Sequence, residues 1–388
     1  MYRIGQEEID AVARVINSKN LFKINDALRE TEKCEQNMRD IWGSKRALLV
    51  TSGKAALISA LVGMGIGPGD EVIVPGYTYI ATAIAVLATG AIPVIAEIDD
   101  TLTLDPVDFE AKITPRTKAV IPVHIMGFPC NMDAIMEIAD RHNIMVLEDS
   151  CQSDGGSYKG KRLGTIGNAG ALSFNYFKIV TAGEGGAILT DDDKIYERAL
   201  IHQDSSAIAF FGDQLNGITE PQFCGSQFRT NEISAAILNQ QFLRLDGILH
   251  DLRSNKRKLM ELLSPYCKFT PSNDIEGDCG IVLSLHFDSA EDCISFYNKA
   301  PEGLTIPINT DRHIYCHWTA ILEKRGAFHP LMDPFKMAAN KDHIPDYTKD
   351  MCPKTLQHLA SNCYISIDPD WTDEDIKNKA EYYINALK

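Results

Sequence analysis

Five short apolar runs alternate with helix-like stretches through the first part of this chain, and no other feature constrains its fold as strongly. The runs are "RALLV" (46–50), "DEVIVPG" (70–76), "IPVIAEI" (92–98), "AVIPVHIMG" (119–127) and "IMVLED" (144–149). Between them stand "KAALISALVGMG", "TYIATAIAVLATG" and "MDAIMEIADRHN", with apolar residues at helical spacing. Continuous apolar strands separated by helices imply a parallel or mostly parallel sheet covered on both faces. Such sheets bind ligands beyond the carboxyl ends of their strands. Chemistry is therefore expected at that edge.

The pattern changes further on. "EISAAILNQQFLRLDGILHDLRSNKRKLMELL" (232–263) reads as one or two long helices. "DCGIVLSLHFDS" and "NCYISI" read as strands, "SAEDCISFYNKA" and "TDEDIKNKAEYYINALK" as helices, the last with a Thr cap and acids in its first turn. A smaller C-terminal α/β domain follows from this. Residues 301–360 are irregular and rich in Pro, His and aromatics. With 388 residues, one large domain and a smaller partner are expected. The division is 1–25, a segment packing with the small domain; 26–248, the large domain; and 249–388, the small domain.

A formal charge of −15 argues against a nucleic-acid surface, which is usually basic. "MYRIGQEEIDAVARVI" carries acids early and reads as an amphipathic helix rather than a secretory leader. No run approaches the roughly 18 apolar residues of a membrane span. The ten cysteines are scattered with no CxxC pair, so no metal site is expected. Reduced thiols in a cytoplasmic chain are the expectation.

Four features fall at predicted strand ends. "TSGKAAL" opens a helix, and its first amides with Ser52, Gly53 and Lys54 make an anion site or a simple N-cap. "VLEDSCQ" brings Asp149 to the sheet edge, where a buried carboxylate needs a partner such as a cationic ring nitrogen; the alternative is a capping or loop acid. "SFNYFKIVTAGEGG" holds Lys178 between apolar residues and a glycine turn, before a returning strand "AILTDDD". A lysine so desolvated loses charge more easily and attacks carbonyls to form a Schiff base; the alternative is a snorkelling surface lysine. Ser173, five residues upstream, binds an anion or sits in the ladder. "GYTYIATA" places Tyr79 where it stacks on a flat cofactor or packs in the core. Taken together, an anion site, an acid, a carbonyl-reactive amine and a stacking aromatic meet the needs of pyridoxal phosphate.

Those stretches, with "GDEVIVPGYTYIATA", "TLDPVDFEAKITPRTKAVIPVHIMG", "VLEDSCQSDGGSYKGKRLGTIG" and "GSQFRTNEISAAIL", resemble the DegT/DnrJ/EryC1/StrS family of sugar aminotransferases. The resemblance spans most of the chain. It implies the fold type I architecture of pyridoxal-phosphate enzymes and a homodimer with shared sites. It implies Lys178 as the Schiff-base lysine, Asp149 as the partner of the pyridine nitrogen and Gln152 near the ring hydroxyl. It further implies Gly53, Lys54 and Ser173 at the phosphate and Tyr79 on the ring. Two positions depart from the family pattern. Lys54 stands where a small polar residue is usual. Gln227 replaces the asparagine of a G-x-N-x-R motif through which a partner chain reaches the phosphate. Arg229 of that motif is retained, as a site residue or a structural ion pair.

Some relatives are sugar dehydratases with histidine in place of the lysine, so Lys178 favours transamination. The resemblance implies glutamate as amino donor and a keto or aldehyde sugar as acceptor, most often nucleotide-linked. The run of motifs is also similar to a subgroup that makes an amino-dideoxy-octulosonate, a free acidic sugar. Arg312, His313, His317, Trp318 and His329 in "PINTDRHIYCHWTAILEKRGAFHP" form a cationic pocket suited to such an acceptor, or a packed surface loop. A dehydratase or eliminase, and a non-catalytic cofactor-binding regulator, are the alternative functions.

Overall fold

The computed structural model describes residues 3–25, 27–204 and 218–388. Nine strands belong to the first part of the chain: β1 (Arg46–Val50), β2 (Glu71–Pro75), β3 (Ile92–Ala96), β4 (Thr117–Val120), β5 (Met145–Asp149), β6 (Ser157–Tyr158), β7 (Lys161–Arg162), β8 (Ala169–Ser173) and β9 (Gly186–Thr190). The pair β6–β7 is a separate small hairpin. The other seven form one sheet in the order β1, β9, β8, β5, β4, β2, β3. Only β9 runs against the rest. The mostly parallel sheet read from the apolar runs is present, and its single reversed strand is the one after the Lys178 loop.

Both faces of the sheet are covered. Along β1, Leu48 and Val50 enter one apolar cluster while Ala47 and Leu49 enter another. That split is the two-residue alternation of a strand. Each such side chain, fully buried, contributes about 1.5–3 kcal/mol. Helices Gly53–Met64, Ala81–Ala88 and Met132–His142 connect the strands, each at the place its spacing predicts. The returning strand "AILTDDD" is β9, paired antiparallel with β8.

Residues 232–263 form two helices, Glu232–Phe242 and Leu245–Leu263. Beyond them lies a second sheet of β10 (Lys268–Phe269), β11 (Val282–His286), β12 (Leu304–Thr305) and β13 (Asn362–Ser366), antiparallel throughout in the order β10, β11, β13, β12. Helix Asp373–Leu387 is capped by Thr372, whose hydroxyl accepts the Asp375 amide. Leu252, Leu259, Leu283, Leu285, Ile365, Ile376 and Tyr383 share one core there. Between β12 and helix Pro353–Ala360 the chain is a series of short helical turns joined by irregular segments. Helix Gln6–Ser18 lays Ala11 and Val15 on Ala236, and Arg3 reaches Asp251 and Asp370. Among the described residues, no helix is long and apolar enough to cross a membrane. All ten cysteines are free thiols.

Candidate active site

The carboxyl ends of β1, β2, β5 and β8 meet at one edge, and the start of β9 closes it. Ser52 follows β1 and caps helix Gly53–Met64, its hydroxyl accepting the Ala55 amide at 3.1 Å. The amides of Gly53 and Lys54 lie in the first turn, where no intrahelical acceptor exists. Gly53 is buried against the neighbouring strand ends. A Cβ there would stand 2.8 Å from both the Ser173 Cβ and the Cys151 Sγ. Gly186, opposite Val50 in the ladder, is as tight: a Cβ would lie 2.3 Å from the Ser52 carbonyl carbon. Only glycine allows the helix start, the end of β8 and the start of β9 to converge. The Lys54 side chain is exposed, leaving its amide as the group nearest the cradle.

Consecutive acids at the end of β5 take opposite faces, as the pleat requires. Glu148 is fully buried and accepts the amides of Gly164 (2.9 Å), Ile166 (2.5 Å) and Gly167 (2.7 Å), and it contacts His124 Nε2 at 3.1 Å. His124 Nδ1 accepts the Cys130 amide, so Nε2 carries the proton and donates to Glu148. This pair ties two loops to the sheet edge. Asp149 faces the other way. It is 5% exposed. Its Oδ2 accepts from Thr82 Oγ1 at 2.8 Å and its Oδ1 from the Cys151 amide at 3.1 Å. The one hydroxyl proton of Thr82 is spent on Asp149, so Thr78 donates to Thr82 across 2.7 Å. Sequence reasoning missed Thr78 and Thr82; their signal is two threonines four apart at the start of a helix beside a candidate acid.

Gln152 Oε1 accepts the Met126 amide at 3.1 Å. Tyr79 is 40% exposed, and its ring centroid is 5.3 Å from that of His313 at 52°. The segment carrying His313 is stitched to the loop after β2. Thr78 N donates to the His313 carbonyl and Ile80 N to the Arg312 carbonyl, both at 2.9 Å, and Tyr315 N donates to the Gly76 carbonyl at 3.0 Å. Arg312 and His317 are exposed on that segment and His313 is half-buried. Trp318 departs from the expected pocket wall. It is completely buried, and its Nε1 donates to the Arg312 carbonyl at 3.0 Å. It supports the segment from the core, a depth that composition alone does not reveal. His329 is exposed and bonds its own turn through the Leu331 amide.

Lys178 lies in the loop joining β8 to β9 and is half-buried. The loop is closed on itself. Phe174 N donates to the Gly185 carbonyl and Tyr176 N to the Gly183 carbonyl, both at 2.9 Å; Ala182 N reaches the Phe174 carbonyl at 3.1 Å, and Lys178 N the Asn175 carbonyl at 3.0 Å. Buried Ile179 and Val180 anchor it on one side, while Tyr176 and Phe177 are exposed on the other. Burial raises Cys151 and Asp154 and lowers His313, and the Lys178 charge opposes the first two shifts and adds to the third. Burial, more than any charge, pushes the Cys151 thiol well up.

The strand end of β1 is flanked by residues 227–229, with Thr51 N donating to the Phe228 carbonyl at 3.0 Å. Gln227 is exposed and its backbone bridges Asp204. Arg229 Nη1 lies 2.6 Å from Asp204 Oδ1, with side chains only 17% and 2% exposed, and its guanidinium lies 5.2 Å from the Phe22 ring. Burial raises the Asp204 carboxyl and Arg229 pulls it back. Of the two expectations for Arg229, the geometry realises the ion pair.

These residues fit pyridoxal phosphate. The cradle that a Cβ on Gly53 would fill lies beside Ser173 and a helix N-terminus, the arrangement that holds a phosphate. Asp149 is a buried carboxylate with fixed donors, suited to a cationic ring nitrogen. Lys178 supplies an amine at the same edge.

Comparison with known proteins agrees. The DegT/DnrJ/EryC1/StrS aminotransferase family matches residues 2–278. GDP-perosamine synthase of Caulobacter vibrioides is 45% identical over 194 residues, 50% of this chain and 52% of that protein. The spore coat polysaccharide biosynthesis protein SpsC of Bacillus subtilis is 40% identical over 250 residues, 63% of each chain. The chain thus spans between about half and under two thirds of the length of these curated relatives. Escherichia coli GDP-4-keto-6-deoxy-D-mannose-3-dehydratase, solved with bound hydrated pyridoxal phosphate, superposes with a TM-score of 0.80 at 21% identity, covering 100% of this chain and 98% of that one. That likeness concerns the fold, which is fold type I.

Proposed function

The chain belongs to the DegT/DnrJ/EryC1/StrS aminotransferase family, and within it we propose that this protein moves an amino group from glutamate to an anionic keto or aldehyde sugar. One observation carries the reading. Lys178 stands in a self-bonded loop at the same sheet edge as Asp149, Gly53 and Ser173, with its charge acting on Cys151 of the Asp149 turn.

Pyridoxal phosphate, when bound, supplies an aldehyde that receives nitrogen and a ring that accepts the electron pair left on the donor's α-carbon. The chain's residues do the rest. The amides of Gly53 and Lys54 and the Ser173 hydroxyl bind the phosphate. Asp149, fixed by Thr82 and the Cys151 amide, holds the ring nitrogen protonated. Lys178 Nζ would take the proton from the donor's α-carbon as a general base and, as a general acid, deliver it to the carbon that the cofactor's aldehyde supplies. Tyr79 orients the flat ring. Arg312 and His317 recognise the acceptor's anionic group, a nucleotide diphosphate or a sugar carboxylate. A cytoplasmic homodimer with shared sites, to which Gln227 contributes, completes the proposal.

The test uses purified protein loaded with cofactor. Glutamate is expected to bleach its absorbance band near about 410–430 nm. Amine transfer to nucleotide-linked keto sugars and to free keto-sugar acids then separates the two acceptor classes. Lys178→Ala is expected to fold but to lose the band and the turnover. A variant that keeps both sinks the assignment of Lys178, and product without net amine transfer points instead to a dehydratase.

A further inference from the structure

His124 is fully buried beside the carboxyl end of β5. Its amide donates to the Asp149 carbonyl at 3.1 Å, and the Asp149 amide donates to the Pro122 carbonyl at 2.9 Å. Residues 122–124 thus run parallel to the end of β5. On the ring, Nδ1 accepts the Cys130 amide at 3.1 Å. An amide only donates, so the ring proton is on Nε2, which faces Glu148 Oε2 at 3.1 Å. Glu148 does not depend on this bond. The amides of Gly164, Ile166 and Gly167 already reach both of its oxygens. The imidazole is therefore not needed to satisfy the acid, and what it does lies in the segment it carries.

That segment is the turn Ile125–Gly127. Met126 stands in it at φ 51° and ψ 27°, a left-handed conformation that a side chain of this size rarely adopts. Such strain persists only where the surroundings hold it, and it gathers at functional sites. Both ends of the turn are held. At the start, His124 is fixed through Cys130 and Glu148. At the end, the Cys279 amide donates to the Gly127 carbonyl at 3.1 Å, and a Cβ on Gly127 would lie 2.6 Å from that of Cys279. What the turn delivers is the Met126 amide, which donates to Gln152 Oε1 at 3.1 Å. This bond settles the carboxamide. The atom facing an N–H must be the oxygen, so the NH₂ group is turned the other way. Among the described residues it donates to nothing. Gln152 is half-buried, three residues past Asp149 in the same turn.

We propose that His124 is a positioning residue for the Gln152 carboxamide. Its bond to Glu148 fixes the turn, the turn holds Gln152 Oε1, and Nε2 is thereby presented as a donor to the ring oxygen of pyridoxal phosphate. This rests on the proposed cofactor site, with Gln152 beside the ring hydroxyl. The two consecutive acids of β5 then serve two sides of one ring. Asp149 acts directly at the nitrogen, and Glu148 acts at the oxygen through His124, Met126 and Gln152.

The test compares pyridoxal phosphate with its 3-deoxy analogue, which lacks the ring hydroxyl. Fluorescence titration of the cofactor-free full chain gives the affinity for each in wild type, Gln152→Leu, His124→Asn and His124→Gln. The quantity read is the preference for the parent over the analogue, because a loosened site lowers both affinities alike. The wild-type preference is expected to exceed that of Gln152→Leu about tenfold, the span of one hydrogen bond to a polar oxygen. Asn keeps an acceptor near the Cys130 amide but is too short to reach Glu148. His124→Asn is therefore expected to fall within about twofold of Gln152→Leu. Gln reaches Glu148 with its own N–H, and His124→Gln is expected to return to within about twofold of wild type.

A folded His124→Asn chain that keeps the wild-type preference overturns the proposal, even where both affinities have dropped. If neither His124 variant folds, as read from urea midpoints, His124 is a structural group and the proposal falls. The underlying readings fail differently. A wild-type preference in Gln152→Leu removes Gln152 from the ring hydroxyl, and the proposal with it, but leaves the cofactor site standing. A wild-type chain that binds neither ligand defeats the proposed function itself.

Discussion

Thr82 Oγ1 donates to Asp149 Oδ2 at 2.8 Å, joining the first turn of the helix after β2 to the last residue of β5. The two strands are not neighbours in the sheet, since β4 lies between them. The bond therefore fixes the carboxylate relative to the loop that carries Tyr79, so the acid and the aromatic proposed to stack on the cofactor are set by one contact.

Thr82→Val keeps the shape and removes the donor. A hydrogen bond to a charged group contributes about 1.5–3 kcal/mol, so cofactor affinity is expected to fall roughly tenfold to a hundredfold. Thr82→Ser is expected to retain most of it. Fluorescence titration of the apo protein with pyridoxal phosphate measures both. A loss in Thr82→Ser with retention in Thr82→Val would show that the methyl, not the hydroxyl, matters.

Gly53→Ala introduces a Cβ that meets Ser173 and Cys151 at 2.8 Å. Neither neighbour is the far end of a flexible chain, so the helix start must shift away from β8. Overpacking of this kind costs about 1–3 kcal/mol, read as a lower denaturant midpoint. Cofactor retention through gel filtration is expected to drop further than stability does, because the shift opens the phosphate cradle. Full retention at wild-type stability would place the phosphate elsewhere.

The fold was legible because strand ends coincide with the ends of apolar runs. Val50, Pro75, Asp149 and Ser173 all terminate strands, and the residues proposed for the site stand at those ends or in the segments that follow them. Other features were hidden for physical reasons. Thr82 sits in "TYIATAIAVLATG", which reads as an apolar core helix, so a single polar contact inside it leaves no pattern. Glu148 and Asp149 look equivalent in sequence, and only the pleat sends one to backbone amides and the other toward Thr82 and the proposed site. Trp318 was read as a pocket aromatic because composition does not report depth. Asp154 lies in "EDSCQSDGG", which has the polarity of a solvated turn. It is fully buried all the same, in a turn whose next residue, Gly155, lies against Leu245 and Leu249, some ninety residues away.

Arg229→Met tests the ion pair with Asp204. It leaves a carboxylate whose side chain is 2% exposed without its cation, and breaking a buried pair costs about 3–5 kcal/mol. Asp204→Asn in the same chain is expected to restore most of that, because the uncompensated charge is gone. The double variant should bind cofactor within about threefold of wild type, the scatter of substitutions that remove no ligand contact. A larger loss of affinity in the rescued double variant would make Arg229 a site residue.

His313 provides the pH test. Burial first, and then the cations of Lys178 and Arg312, hold it below the usual histidine value, against the Thr310 carbonyl, which favours the charged ring. A depressed folded value means that the contribution to stability is fully present above the unfolded value of about 6.5 and is lost as pH falls below it through the folded value. Between pH 7 and pH 5.5 the wild type is therefore expected to lose more of its urea midpoint than His313→Gln does. His202 and His358 are also depressed by burial and keep part of the acid slope in both proteins, so the difference between the two slopes is the quantity to measure. Parallel slopes would show that His313 is free to take up a proton beside Lys178, and that the imidazole over Tyr79 is not held neutral.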